Sequence, residues 1–134
     1  MTPTTSITIL GAGGIGCAIG HALLARGHQV EFVDADAEKV DRGNESGVEV
    51  VDHGSQTARF TLFENWHPGN PGLIILCTKC YDNATVLERL HPDSIIFPVQ
   101  NGFDPELQSR CRFEGIASFV SECESHRART RITR

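Results

Sequence analysis

The sequence predicts an α/β domain built on a doubly wound, mainly parallel sheet, and three observations carry that prediction. Short apolar or β-branched runs alternate along the chain with stretches of helical period, the pattern of strands joined by crossover helices. The run Leu73-Ile74-Ile75-Leu76-Cys77 is apolar at every position, as a parallel strand covered on both faces requires. A glycine-rich turn, Gly11 to Gly16, leads the first run straight into the first helical stretch. At 134 residues the chain has the length of one domain, and 40% hydrophobic residues plus 13 glycines is an ordinary globular composition.

Each element has its own justification. Ser6-Ile7-Thr8-Ile9-Leu10 is β-branched and apolar and reads as the first strand. Ile15, Ile19, Ala22 and Leu23 then recur at the spacing of one buried helix face, and Gly27 is placed to end that helix in the left-handed conformation. Residues 30–33 form a second strand closing on Asp34, followed by a short polar helix through Glu38, Lys39 and Val40. Between 47 and 63 the period becomes two: Val48 and Val50 flank Glu49, Phe60 and Leu62 flank Thr61, and His53-Gly54-Ser55-Gln56 lies between. That pattern predicts a β-hairpin on the edge of the sheet. After a loop at 66–72 and the strand at 73–77, Ala84, Leu87 and Leu90 predict a helix capped by Asp82 or Asn83. Residues 94–99 read as another buried strand. Asp104-Pro105-Glu106 starts a helix with a capping acid, a proline in the first turn and a second acid near the positive end. Residues 115–120 predict a last strand.

Charge and cysteine usage bound the function. The net charge of −5 argues against nucleic acid as a partner. Residues 1–125 carry 8 basic against all 17 acidic residues, while the last nine hold Arg127, Arg129, Arg131 and Arg134 and no acid. Two readings stay open for that end: a strand presenting alternate arginines to an anion, or a solvated tail. No apolar run reaches a membrane-spanning length and no basic segment precedes an apolar leader, so a cytoplasmic protein without membrane contact is expected. Five cysteines, an odd number, suit free thiols in a reducing compartment. Cys77-Thr78-Lys79-Cys80 is a C-x-x-C, but Cys111 and Cys123 do not complete a second close pair, and no two histidines stand at i, i+4 on a helix. No metal site is expected.

The glycine turn carries the chemistry. Gly11-Ala12-Gly13-Gly14-Ile15-Gly16 is a G-x-G-x-x-G between a strand and a helix, and Asp34 ends the second strand 18 residues after Gly16, which is the context of a dinucleotide fingerprint. Gly11 permits the tight turn, Gly13 lets the backbone approach a pyrophosphate, and Gly16 lets helix pack on strand. The amide N–H groups across Ala12, Gly14 and Ile15, with the helix dipole behind them, attract phosphate. The whole chain, 1–134, thus reads as a Rossmann-type NAD(P)-binding domain. Asp34 can accept hydrogen bonds from the adenosine ribose, which favours NAD over NADP. A 2′-phosphate about 4 Å away would meet a repulsion of about 4 kcal/mol at an effective dielectric near 20, reduced at a solvated rim. The expected preference for NADH is about ten- to a hundredfold.

Two further segments narrow the reading. Cys77-Thr78-Lys79-Cys80-Tyr81-Asp82 ends one apolar strand with a lysine, and Val99-Gln100-Asn101-Gly102-Phe103 ends the next. Ligands of open α/β sheets bind outside the carboxyl ends of strands, which places Lys79 and Asn101 over the crevice. Together with Gly11–Gly16, these segments make the chain resemble the N-terminal cofactor domain of the ketopantoate reductase (2-dehydropantoate 2-reductase) family. The resemblance implies NAD(P)H-dependent reduction of a 2-keto acid to a 2-hydroxy acid. It sets Asn101 beside the nicotinamide or substrate and Lys79 at the adenosine or phosphate end. By their own chemistry these two residues could equally be a turn asparagine before Gly102 and a solvated lysine.

The family usually favours NADP and commonly carries a basic residue after the second strand, where this sequence has Asp34-Ala35-Asp36. The resemblance also puts the catalytic lysine and an accompanying acid in a C-terminal helical domain. No catalytic residue is therefore expected within 1–134, the chain reads as truncated after Arg134, and by itself it is expected to bind cofactor with negligible turnover. A homodimer is an expected partner, since one wall of a crevice would expose apolar surface. The alternative is a nucleotide-sensing regulatory domain of RCK type, which also pairs a G-x-G-x-x-G with an acid at the end of strand two but has no chemical need for Lys79 or Gln100-Asn101-Gly102.

Overall fold

The computed structural model describes residues 6–68, 72–78, 82–100, 104–111, 115–117 and 119–133. Along these the elements are β1 (Ile7–Leu10), α1 (Gly14–Ala25), β2 (Val30–Asp34), α2 (Ala37–Ser46), β3 (Val48–Val50), β4 (Gly54–Gln56), β5 (Arg59–Leu62), β6 (Leu73–Leu76), α3 (Asn83–Arg89), β7 (Ile95–Pro98), α4 (Pro105–Arg110), β8 (Val120–Cys123) and β9 (Arg129–Thr133). The main sheet runs β5-β2-β1-β6-β7, every pair parallel, with Ile9 in register between Phe32 and Ile75. The chain winds outward from β1 through β2 to β5 and then returns to β6 on the other side. The strand order therefore reverses between β1 and β6, and a crevice opens over their carboxyl ends.

Both faces of this sheet are covered, as the unbroken apolar strands require. One face carries Ile7, Ile9, Phe32, Phe60 and Ile75, packed under α1 and α2; the other carries Leu10, Val33, Ile74, Leu76 and Ile96 against Val86 and Leu90 at α3 and Leu107 of α4. Trp66 joins the second cluster, so the segment read as a loop opens with a buried indole.

A second sheet, β4-β3-β9-β8, lies across the far side of α1 and mixes parallel and antiparallel pairs. Being clasped between two sheets changes which face of α1 is inside. Gly16, Cys17, Ala18, Gly20 and His21 are buried, whereas Ala22 is exposed and Ile15, Ile19 and Leu23 are partly buried at the margin of the core. Small residues win because the layers are close: a Cβ on Gly20 would stand 2.2 Å from the Phe32 ring.

The predicted edge hairpin is present but paired differently. β3 turns back on β4 within the second sheet, while β5 leaves to extend the main sheet beside β2. Phe60 decides this: its ring stacks on Phe32 at 4.7 Å, a contact worth about 0.5–1.5 kcal/mol beyond burial. Asn44 then receives the Phe60 N–H at 2.8 Å and donates to its carbonyl at 2.9 Å, closing the open strand edge. The last predicted strand also shifts, to Val120–Cys123; of 115–117 only the Gly115 N–H reaches the sheet, donating to the Pro98 carbonyl at 2.8 Å. The arginine-rich end forms a strand, β9, and two of its arginines, Arg127 just before the strand and Arg129 within it, make ion pairs. Arg129 meets Glu49 at 3.1 Å and also binds Glu124, which holds Arg127 at 3.4 Å.

Gly27 takes φ +87° just after α1, as placed. Asp36 caps α2, its carboxylate receiving the N–H groups of Glu38 at 3.1 Å and Lys39 at 3.2 Å. Partial burial opposes its ionisation, but the His126 hydrogen bond and these amides outweigh it and hold its pKa below the ordinary 3.8. Asp36→Ala is expected to cost about 1 kcal/mol in urea unfolding at neutral pH. Because the folded-state pKa is lowered, the charge-dependent part of that contribution is whole above pH 3.8 and is lost as pH falls through the folded value. The penalty should therefore shrink in acid; an undiminished penalty at pH 3 would contradict the capping account. Among the described residues no helix is long and apolar enough to cross a membrane.

Candidate functional site

The site begins where β1 ends. Gly11 has φ +104°, and a Cβ there would lie 2.8 Å from the Thr78 nitrogen and 2.9 Å from the Cys77 carbonyl carbon, so only glycine lets the turn cross the end of β6. Its N–H donates to the Val33 carbonyl at 2.8 Å. Gly16 serves the same turn from inside α1, since a Cβ there would stand 1.9 Å from the Gly11 carbonyl oxygen. At Gly13 a Cβ would meet nothing within 4 Å. Of the three motif glycines, two are demanded by packing and one faces open space, the arrangement that leaves room for a ligand against the backbone. No side chain caps the start of α1 and its first turn holds no acid, so its amide donors and the positive end of its dipole are available to an anion.

Asp34 stands at the end of β2, facing this turn. One carboxylate oxygen receives the Ala12 N–H at 2.8 Å and the other the Asp36 N–H at 2.9 Å. Lys39, from the first turn of α2, donates to the Ala12 carbonyl at 3.0 Å and lies 3.9 Å from the Asp34 carboxylate. Acid and base thus grip the two sides of one residue of the turn. Sequence pattern assigns Lys39 only to the helix; the signal for its role is a lysine one turn into the helix that follows the strand-end acid. A crevice of about 370 Å³ opens here, its wall including Gly11, Gly13, Asp34, Lys39, Phe63 and Thr78.

Lys79 and Asn101 lie outside the described residues, as do Cys80 and Gly102. The residues bracketing them are tied together. Gln100, just past β7, donates to the Thr78 carbonyl at 2.6 Å and to the Asn83 side-chain oxygen at 2.9 Å. Asn83 returns a bond to Gln100 at 3.2 Å and donates to the Asp104 carboxylate at 2.8 Å. Asn83 is fully buried, and Asp82 holds the cap position without capping through its side chain. The capping alternatives therefore give way to a different use: Asn83 links the carboxyl ends of β6 and β7 to the starts of α3 and α4, fixing both ends of the segments that carry Lys79 and Asn101. A polar residue at a helix start reads as a cap in sequence, which is why this role was missed.

Of the described cysteines, Cys17, Cys77 and Cys123 are free thiols. Burial pushes the Cys77 thiol, at the crevice wall, up to about 12. The neighbouring Cys123 thiol and burial raise the Cys17 thiol, while Cys17, with help from the Lys39 charge, lowers the Cys123 thiol against its own burial.

The family model of ketopantoate reductase PanE/ApbA matches residues 7–133. No curated protein matches the sequence significantly. Among solved structures, D-mandelate dehydrogenase in a ternary complex with NADH and anilino(oxo)acetate is similar over 96% of this chain and 45% of its own length, with 21% identity and TM-score 0.80. The 2-dehydropantoate 2-reductase of Methylococcus capsulatus is similar over 96% and 46%, with 19% identity and TM-score 0.77. The dimeric ketopantoate reductase of Staphylococcus aureus is similar over 96% and 44%, with 19% identity and TM-score 0.63. The chain thus spans less than half the length of each of these structures.

Proposed function

The chain belongs to the ketopantoate reductase PanE/ApbA family, and from that premise we propose that it is the NAD(P)-binding part of an oxidoreductase that reduces a 2-keto acid of the 2-dehydropantoate kind to the 2-hydroxy acid. The observation that carries the reading is the glycine turn, rigid at Gly11 and Gly16, open at Gly13, and gripped by Asp34 through the Ala12 amide. A nicotinamide dinucleotide fits these residues: an anion suits the uncapped start of α1, and the crevice volume falls in the range of ligand pockets. When bound, the nicotinamide supplies the hydride. In this reading the backbone from Gly11 to Gly16, with Ala12, Gly14 and Ile15, holds the pyrophosphate and Asp34 holds the adenosine ribose. Lys79 borders the adenosine or phosphate end, and Asn101 keeps nicotinamide and keto acid in register.

Asp34 favours NAD, and Lys39 beside it reduces the margin by offsetting charge that would otherwise repel a 2′-phosphate. We place the NADH preference at the low end of the expected range, about tenfold. The second half of the protein length seen in similar structures is where we place the proton donor, and the dimeric relative supports a homodimer as the working form. No observation in the geometry favours a pure nucleotide sensor. Calorimetric titration of the purified chain tests the proposal: one saturable site for NADH, weaker for NADPH, with negligible reduction of 2-keto acids by the chain alone. Absence of binding up to millimolar NADH would overturn it, and equal affinities would remove the role given to Asp34.

A further inference from the structure

The thiols of Cys17 and Cys123 are brought together by packing that the dinucleotide reading does not use. Gly14 and Cys17 share one side of α1, one turn apart; Ser121 and Cys123 share one side of β8, two residues apart. Helix and strand touch so closely that a Cβ on Gly14 would stand 2.3 Å from the Ser121 hydroxyl, and Cys17 and Cys123 lie on these two facing sides. Cys17 is wholly buried and its thiol donates to the Ala12 carbonyl at 3.3 Å, the same carbonyl that Lys39 binds at 3.0 Å. Cys123 is only half-buried, and its thiol reaches the Arg127 carbonyl at 3.4 Å. One thiol is therefore sequestered under the glycine turn while its partner is open to solution.

We propose that Cys17 and Cys123 form a hydroperoxide-responsive pair that closes to a disulfide beside the glycine turn and weakens dinucleotide binding. The second half of this statement rests on the reading of the turn as a dinucleotide site; the first does not. Cys123 is the attacking sulfur: its thiolate attacks the terminal oxygen of the peroxide, forming S–O as O–O breaks, and the alkoxide or hydroxide that leaves takes a proton from water. The Cys17 sulfur then attacks the Cys123 sulfenic acid, forming S–S as S–O breaks, and the Cys17 proton leaves with the hydroxide as water. Two thiols supply two electrons and the peroxide accepts them. The lowered Cys123 thiol and the raised, buried Cys17 thiol fit this division of roles. Closure removes the Cys17 donor from the Ala12 carbonyl and so loosens the turn that receives the dinucleotide; the expected reading is a drop in NADH affinity of at least about threefold.

The test treats the 134-residue chain with hydrogen peroxide, counts thiols, and maps linked peptides by mass spectrometry. The expected result is the loss of two thiols, a Cys17–Cys123 cross-linked peptide and full reversal by dithiothreitol. In Cys17→Ser, Cys123 should be trapped as sulfenic acid by dimedone. Reaction of Cys123 with iodoacetamide should follow a midpoint below the ordinary 9. A disulfide to another cysteine, or the same thiol loss in Cys123→Ser, would overturn the pairing. NADH titration of reduced and oxidised wild type reads the consequence: equal affinity overturns the switch while leaving the cross-link established. If neither form binds NADH, the dinucleotide reading fails and the switch with it, while the peptide map still decides the cross-link.

Discussion

Gly16→Ala is expected to destabilise the domain by about 3 kcal/mol, with no change in the denaturant slope, and to abolish dinucleotide binding. The added methyl would stand 1.9 Å from the Gly11 carbonyl oxygen and 3.1 Å from an Ile9 methyl. Relief is blocked on every side. Gly11 is held by its own bond to Val33 and by its contact with the backbone at Cys77 and Thr78, while α1 is clasped between the two sheets. Gly13→Ala should lose binding without losing stability. Its methyl meets nothing, so unfolding should change by no more than about 0.5 kcal/mol, yet NADH affinity should fall at least about tenfold because the methyl occupies the approach to the backbone. Parallel losses of stability in the two variants would contradict the separation of roles.

Asp34→Ala has the second-largest expected effect. It leaves the partly buried Ala12 and Asp36 amides without their acceptor and Lys39 without its counter-charge, a loss of about 2 kcal/mol in stability. NADH affinity should fall about ten- to a hundredfold, and NADPH affinity less, so that the preference between them collapses. Asp34→Asn keeps an acceptor oxygen but not the charge; it should recover most of the stability and little of the NADH preference. A variant that loses stability but keeps the preference would assign Asp34 to the fold alone.

The contrast between what the sequence revealed and what it hid follows from the range of the interactions. Gly11, Gly13, Gly16 and Asp34 were legible because their constraints are local: a turn angle, an open backbone, a strand-end acid. The parallel order was legible because strands covered on both faces must be apolar throughout, as at 73–76. The second sheet was not, because β3 pairs with β9 across some eighty residues, Glu49 facing Arg129, and no local period records such a match. β5 was assigned to the wrong partner because Phe60 alternates equally well in a hairpin; only the Phe32 ring and the Asn44 amide, both distant in sequence, direct it to β2. Asn83 and Lys39 escaped notice because their partners, Gln100, Asp104 and the Ala12 carbonyl, are assembled only by the fold.

Backbone amide chemical shifts on titration with NADH report whether a dinucleotide lies across the Gly11–Gly16 turn. The largest shifts are expected at Gly13, Gly14 and Ile15, with smaller ones at Ala35 and Thr78, saturating together. The cavity of about 410 Å³ lined by Arg42, Glu49, Arg127 and Arg129 should stay silent. Shifts confined to those arginines, or none near the glycine turn, would contradict the account.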